Sequence, residues 1–281
     1  MSYGLTFQET PADAVERVRR EQLDAAAESL NNGDDPVEAI HDARKRIKKT
    51  RALLRLARPG LKKADYRRRN RALRDTGRAM SANRDADVLV ETVELLAERF
   101  AGQYPKTFFA GVRQPLATHA RALRREADAA AHADVLTGLA QDSWPLAALD
   151  PEAIAGSLER TYARGRAAFA TADREPTAGN LHEWRKRVKD LWYQQRLLED
   201  TWPGVMKAQA KEAKALSKLL GEDHDLAVLS EHVADDQLRD MIDLRRAELL
   251  EQSRALGRRI YAERPKAFAR RSRRYVDLAA A

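Results

Sequence analysis

A basic helical motif that occurs twice constrains this chain more than any other feature. The first copy spans residues 40–59 and the second spans residues 181–203, about 140 residues later. At 3.6 residues per turn, a histidine and a row of bases share one face of each copy. These basic stripes consist of His41, Arg44, Lys48, Arg51 and Arg55 in the first copy and His182, Arg185, Lys189 and Arg196 in the second. Like charges stacked one turn apart destabilise a helix, so the pattern predicts an anionic partner.

An apolar face lies beside the first stripe and predicts which side of the helix is buried. It consists of Ile40, Ala43, Ile47, Leu54 and Ala57. The histidine at the start of each stripe lies one turn from a base. Because nearby cations oppose protonation, we expect a depressed pKa for both histidines, so that each ring is a neutral hydrogen-bonding group at neutral pH.

The helix that follows each motif carries a second basic row in the same register. These rows consist of Arg67, Arg71, Arg74 and Arg78, and of Lys207, Lys211, Lys214 and Lys218. Residues 41–78 contain 16 Lys or Arg against three Asp, and residues 182–218 contain nine against five acidic residues, in a chain of net charge +8. This concentration of charge favours a polyanionic partner: nucleic acid, an anionic membrane or phosphate chains. Bases outside the rows, namely Lys45, Arg46, Lys49, Arg68 and Arg69, are expected to be solvated.

The periodicity predicts an all-α fold. Helices are expected from Pro11 to the turn at residues 31–36, over residues 37–58 and 62–82, from Arg84 onward, and from Pro105 to residue 135 with a bend at Pro115. Two prolines interrupt the pattern at residues 143–151, after which it begins again, and no strand pattern is found. We therefore predict two antiparallel four-helix-bundle halves, residues 1–145 and 146–281, related by duplication and an approximate two-fold axis around a basic central groove or pore.

Composition excludes several classes of function. The chain has no cysteine, so disulfides, thiolate catalysis and thiol metal sites are ruled out. No signal peptide and no membrane span are recognisable, and we expect a cytoplasmic protein that needs no cofactor.

Two alternatives to a binding module remain. The dipeptides His41-Asp42 and His224-Asp225 resemble those of metal-dependent phosphohydrolases, but the first-half counterpart of His224 is Arg84, and the surrounding bases would repel a divalent cation. A non-specific RNA- or DNA-binding protein is less favoured, because only 6% of residues are aromatic. Four of the aromatics, Trp184, Trp192, Tyr193 and Trp202, cluster near the second motif, where packing is their expected use.

The duplicated motif resembles that of the CHAD family, the conserved histidine α-helical domain. It is seen as HDARKRIKKTR at His41 and as HEWRKRVKDLW at His182, and the segments SANRDADVLV, LLGEDHDLAVL and AERPKAFARRSRRY are similar to the family as well. The resemblance covers essentially the whole chain. It implies one CHAD domain of two helical bundles that binds inorganic polyphosphate through a basic central surface and associates with polyphosphate granules and their proteins.

The resemblance also assigns residues. The family's histidine and basic positions fall on His41, Arg44, Lys48, Lys49 and Arg51, and on His182, Arg185, Lys186 and Lys189. Trp192 stands where the family often has a base and where the first copy has Arg51. The second half is therefore expected to bind polyphosphate more weakly than the first. Many relatives carry a fused triphosphatase-type domain for which this chain has no room, and a protein without enzymatic activity is therefore expected.

Overall fold

The computed structural model describes residues 3–6, 8–80, 82–125, 130–147 and 149–279. In these ranges the chain forms eleven α-helices and no strand, which confirms the all-α class. The helices are α1 Pro11–Asn32, α2 Pro36–Leu56, α3 Lys63–Ala79, α4 Ala82–Arg99, α5 Lys106–Arg125, α6 Ala130–Gln141, α7 Pro151–Arg174, α8 Ala178–Leu197, α9 Pro203–Glu231, α10 Asp236–Ile260 and α11 Pro265–Ala279. Short 3₁₀ turns at Arg58–Gly60 and Glu199–Thr201 follow α2 and α8.

Local capping explains where the motif helices and their predecessors begin. Thr10 and Asp150 accept backbone N–H groups at the starts of α1 and α7, and each of these helices has proline at its first position. Asp35 caps α2 through the N–H of Val37 at 2.8 Å, and Thr177 caps α8 through the N–H of Asn180 at 3.2 Å. Both motif helices therefore start one turn before their histidine.

The number of helices exceeds the expected four in each half. The segment predicted to run from Pro105 to residue 135 is two helices, α5 and α6, and residues 126–129 between them are outside the described ranges. Pro115 lies within α5. The second basic row of the C-terminal half lies on α9, which continues without a break over the stretch where the first half has the separate helices α3 and α4.

Two apolar clusters hold the helices together. The first contains residues of α1, α2, α3 and α6 together with residues of α7, α8, α9 and α11, and Trp184 and Tyr162 are among its largest fully buried side chains. The second joins α4 and α5 to α9 and α10. Each cluster therefore combines residues from both sides of the predicted boundary at residue 145.

The motif helices α2 and α8 are in direct contact near the middle of the molecule. The side-chain amide of Gln194 donates to the carbonyl of Ala52 at 3.3 Å, which ties the two helices at a buried point. The N-terminal segment lies across both: the N–H of Leu5 donates to the carbonyl of Leu197 at 2.7 Å, and the Tyr3 hydroxyl donates to the carbonyl of Lys49 at 3.0 Å.

Candidate functional site

The apolar face of the first motif is buried, as the periodicity predicts. Ile40, Ala43, Ile47, Leu54 and Ala57 are each 3% exposed or less. Because these residues fix the rotation of α2, its basic stripe faces away from the core. In α8, Trp184, Val188 and Leu191 are fully buried in the same way and fix the basic stripe of the second motif.

Basic side chains of α2, α3 and α8 converge on a cavity of about 450 Å³, here called the central cavity. Its basic lining consists of Arg44, Lys48, Arg51, Arg55, Arg74, Arg78, Lys186, Arg187 and Lys189. Among the described residues, Asp190 is the one acid in this lining. Ile47, Leu73 and Gly77 form the apolar part of the wall. An arrangement with many donors and a single carboxylate is suited to an anion.

A second cavity, of about 520 Å³, contains the histidines and is here called the histidine cavity. His41 of α2, His182 of α8 and His224 of α9 all line it, and the rings of His182 and His224 lie 4.2 Å apart between centroids. Asp85 and Asp225 are its acidic members. The two cavities adjoin, because both are lined by Arg44, Lys48, Lys186 and Lys189.

Burial and like charge lower the pKa of several bases in these cavities. Burial, together with Lys48 and Arg185, lowers the pKa of Lys189 to about 7. Burial and the neighbouring Arg55 lower the pKa of Arg51 to about 10. A bound anion would favour the charged form of both side chains, so these shifts mark where negative charge would be stabilised.

The expected direction of the histidine shift is confirmed for His182. Its pKa is lowered first by burial and then by Lys186 and Arg185, so burial is the larger cause, whereas the sequence indicated only the cations. Burial, with His182 and Arg185 nearby, lowers the pKa of His224 to about 4. Both rings are therefore neutral at neutral pH.

Carboxylates in the lining hold particular bases in place. Asp190 pairs with Arg55 at 3.0 Å and with Arg187 at 3.4 Å between side-chain nitrogen and oxygen. Burial raises the pKa of Asp190, whereas the arginines around it act in the opposite direction. Asp85 lies 3.6 Å from a guanidinium nitrogen of Arg44.

Several buried side-chain nitrogens in the lining have no hydrogen-bond partner within the described part of the chain. They include the Nε atoms of Arg51 and Arg185 and Nδ1 of His182. Buried polar groups in folded proteins are normally hydrogen-bonded. The two arginine Nε–H groups are therefore donors that a ligand oxygen would satisfy.

Comparison with known families agrees with this geometry. The family model described as the CHAD domain matches residues 16–234, which include α2, α8 and all of α9. The chain belongs to the CHAD family. A comparison with curated proteins gives no match.

Some of the bases expected at the binding surface of this CHAD domain lie elsewhere. Arg67 and Arg71 line a shallow surface depression on α3 together with Asp75. The α9 lysines, Lys207, Lys211, Lys214 and Lys218, are exposed and line neither cavity. Lys207 pairs with Glu199 at 3.5 Å, and the Lys214 ammonium lies 5.9 Å from the ring centre of Trp192.

Two further expected binding residues flank the N-terminal segment instead. Lys49 and Arg196 lie next to Tyr3, with their charged groups 5.2 and 5.4 Å from its ring centre. Burial and the nearby Arg196 lower the pKa of Lys49 to about 8. These two bases from α2 and α8 therefore grip the N-terminal segment and do not line the two cavities.

One base expected to be solvated is buried in this CHAD domain. Arg69 is 4% exposed, and its guanidinium pairs with Asp65 and Asp142, each at 3.1 Å, and donates to the carbonyl of Ser143 at 2.8 Å. The expectation was wrong for Arg69 because its acidic partner Asp142, 73 residues away in sequence, is brought next to it by packing of α3 on α6. Arg68 is 61% exposed and agrees with the expectation.

Two residues of the central cavity, Arg187 and Asp190, were not predicted from the sequence. Arg187 has Glu183 one turn earlier, a mixed-sign pair that is typical of a solvated face, and Asp190 adds a second acid to the same helix. No local signal therefore distinguished them from solvated residues.

The histidines do not form a metal centre with the acidic residues described. No group of three or more His, Asp or Glu side chains in the described ranges is placed to hold a metal ion. Arg84, the first-half counterpart of His224, has a side chain that lies outside the described side chains.

No helix in the described part of the chain is long and apolar enough to cross a membrane.

Proposed function

We propose that this CHAD domain binds inorganic polyphosphate in the central cavity and the histidine cavity without hydrolysing it. The observation that carries the proposal is the convergence of basic side chains from α2, α3 and α8 on two adjoining cavities. Membership of the CHAD family supports it, since polyphosphate binding is known at the level of the family. Localisation to polyphosphate granules, where the domain would act as a targeting module, belongs to the same proposal.

The composition of the lining favours polyphosphate over nucleic acid. Tyr193 is the one Phe, Tyr or Trp among the described residues that line the two cavities. Single-stranded nucleic acids are bound largely by stacking of bases on aromatic side chains, whereas polyphosphate offers only charged oxygens. Guanidinium forks and lysine point charges can hold those oxygens in several registers along the chain.

The two copies of the motif have corresponding surroundings, which supports the proposal that residues 1–145 and 146–281 are copies of one unit. Helix α1 packs on α2 and α6, and α7 packs on α8 and α11. Each copy then contributes one motif helix to the same basic groove, formed by the two adjoining cavities. A polyphosphate chain lying in this groove would be held from both sides.

The proposal is tested by two variants that remove equal charge. Replacing Arg44, Lys48 and Arg51 with alanine removes three cavity bases, and replacing Lys207, Lys211 and Lys218 removes three exposed bases of α9. Because a hydrogen bond to a charged group contributes about 1.5–3 kcal/mol, the cavity variant should lose about a hundredfold or more in affinity, and the α9 variant much less. Calorimetric titration with polyphosphate of defined length measures both.

Controls separate the proposal from its rivals. Circular dichroism must show that both variants are folded. Binding should weaken steeply with salt because bound counterions are released from the polyanion. An equal loss of affinity in the two variants would refute the location of the site. Competition by RNA at equal charge would refute the choice of ligand. Phosphate release with added Mg²⁺ or Mn²⁺ would show that the protein hydrolyses polyphosphate.

A further inference from the structure

A third cavity, of about 230 Å³, lies at one end of the central cavity and was not anticipated from the motif. It is formed where the 3₁₀ turn after α2 and the first turn of α3 meet α7 and α8. Five arginines line it: Arg55, Arg58, Arg160, Arg164 and Arg187. Here it is called the arginine cavity. Ser157 and Thr161 of α7 add hydroxyl groups to the same wall.

Basic side chains outnumber acidic ones in the arginine cavity. Asp190 is the one acid among its described lining residues, and it pairs with Arg55 and Arg187, whereas no described carboxylate is paired with Arg58, Arg160 or Arg164. Arg160 donates to the Ser157 hydroxyl at 2.7 Å, and burial with the nearby Arg58 lowers its pKa. Burial and Arg187 lower the pKa of Arg164 in the same way. Five guanidinium groups beside a single carboxylate leave an excess of positive charge that a bound anion would offset.

Asp190 stands at the junction between the arginine cavity and the central cavity. The two cavities share Arg55, Arg187 and Asp190, and the Asp190 carboxylate bridges the two arginines at 3.0 and 3.4 Å. Its oxygens occupy the kind of position that a phosphate oxygen would take between two guanidinium groups. An anionic chain that follows the central cavity therefore reaches the arginine cavity at this point.

The chemistry of the arginine cavity differs from that of the central cavity in a way that distinguishes two parts of a polyphosphate chain. Each internal phosphate carries one negative charge and two free oxygens. A terminal phosphate is a monoester-like group with three free oxygens and a charge near −2 at neutral pH, since its second pKa is about 6. The arginine cavity is about half the size of the central cavity, 230 against 450 Å³, so it suits the end of a chain better than a long segment.

We propose that the arginine cavity binds the terminal phosphoryl group of a polyphosphate chain whose adjoining phosphates lie in the central cavity. The inference rests on the function proposed above. Arg160 and Arg164 provide guanidinium forks, and Ser157 and Thr161 provide hydroxyl donors to the third oxygen. Arg58, 5.2 Å from the ring centre of Tyr66, adds a further guanidinium group to the lining.

The test compares free chain ends with blocked chain ends. The ligands are polyphosphates of one defined length, either unmodified or with both terminal phosphates converted to phosphoramidates of an uncharged amine. Each capped end keeps one negative charge but loses the second charge and one free oxygen. The proteins are the full chain, the Arg160→Ala/Arg164→Ala variant and the Arg166→Ala control, whose exposed arginine lies on the same helix and lines none of the three cavities.

The unmodified protein should bind free-ended chains about tenfold or more tightly than capped chains, because charge-assisted hydrogen bonds to the terminal group are lost. The double variant should bind both ligands alike, with the affinity that the unmodified protein has for capped chains. Arg166→Ala should keep the full preference.

Equal affinity of the unmodified protein for free and capped chains would overturn the inference, and this measurement needs no variant to fold. A preference that survives in a folded double variant would also overturn it. Absence of binding to either ligand is a different outcome, because it would remove the proposed function and the inference together.

Discussion

Binding of polyphosphate should be accompanied by proton uptake at Lys189. Burial and the charges of Lys48 and Arg185 lower the pKa of this side chain to about 7. At pH 8 about nine in ten molecules therefore carry a neutral amine, and at pH 6 about one in ten. A polyanion bound against Lys189 restores its ordinary pKa near 10.4, so binding should take up about 0.9 proton at pH 8 and about 0.1 at pH 6.

The same linkage fixes the pH dependence of affinity. Lys189 is already charged below its lowered pKa, so its contribution to binding is complete below pH 7. Above pH 7 a proton must be taken up for each chain bound, and affinity should fall by up to about tenfold per pH unit between pH 7 and pH 9.

Calorimetric titration at pH 6 and pH 8, in buffers of different ionisation enthalpy, measures the proton uptake directly. Long polyphosphate chains are used so that their terminal phosphates contribute little to the measured proton uptake. Lys189→Met should remove most of the uptake at pH 8, and Lys211→Met, which removes an exposed lysine of α9, should leave it unchanged. Equal uptake at the two pH values, or full uptake in Lys189→Met, would show that this lysine is not in the binding surface.

Three further predictions concern stability and position. Lys189→Met should raise the free energy of unfolding at pH 7 by about 1–3 kcal/mol while weakening binding, because the unfavourable burial of a charge disappears. The gain should be smaller than the free energy that corresponds to the full pKa shift, since the side chain keeps some solvent contact. Gly221→Ala should raise the free energy of unfolding by up to about 1 kcal/mol through helix propensity, since the Arg185 side chain can shift, yet it should lower affinity. The added Cβ would lie 3.3 Å from the Arg185 guanidinium and displace it, so unchanged affinity would show that this position of Arg185 is unimportant. Tyr3→Phe should lower the free energy of unfolding by about 1 kcal/mol through loss of the hydrogen bond to Lys49, as measured by urea denaturation.

The sequence predicted the features that depend on local periodicity. Helix α2, its buried face at Ile47 and Leu54 and the outward stripe that includes Lys48 follow from a 3.6-residue repeat, which is legible without knowledge of the fold. The lowered pKa of His182 was predicted in direction, but its larger cause, burial, depends on packing.

The remaining features depend on how helices are placed against each other, and no local pattern encodes this. Arg160 and Arg164 form one isolated like-charge i, i+4 pair on α7, and the cavity arises only when packing brings Arg58 beside them. Arg69 lies in a run of bases that is typical of a surface helix. Its burial against Asp142 follows only from the contact between α3 and α6. Sequence spacing places each basic row of α3 and α9 on one helix face, yet the α9 lysines line neither cavity, and of the α3 row Arg74 and Arg78 line the central cavity.

Helix α9 also determines how the protein should unfold. It is about 43 Å long at 1.5 Å per residue, and it contributes Leu216 and Leu220 to one apolar cluster and Leu226 and Leu229 to the other. Both clusters therefore pack on the same helix, and a loss of packing in one cluster should destabilise α9 and with it the other cluster. Thermal unfolding should be a single cooperative transition, and the N-terminal half expressed alone should lack a stable core.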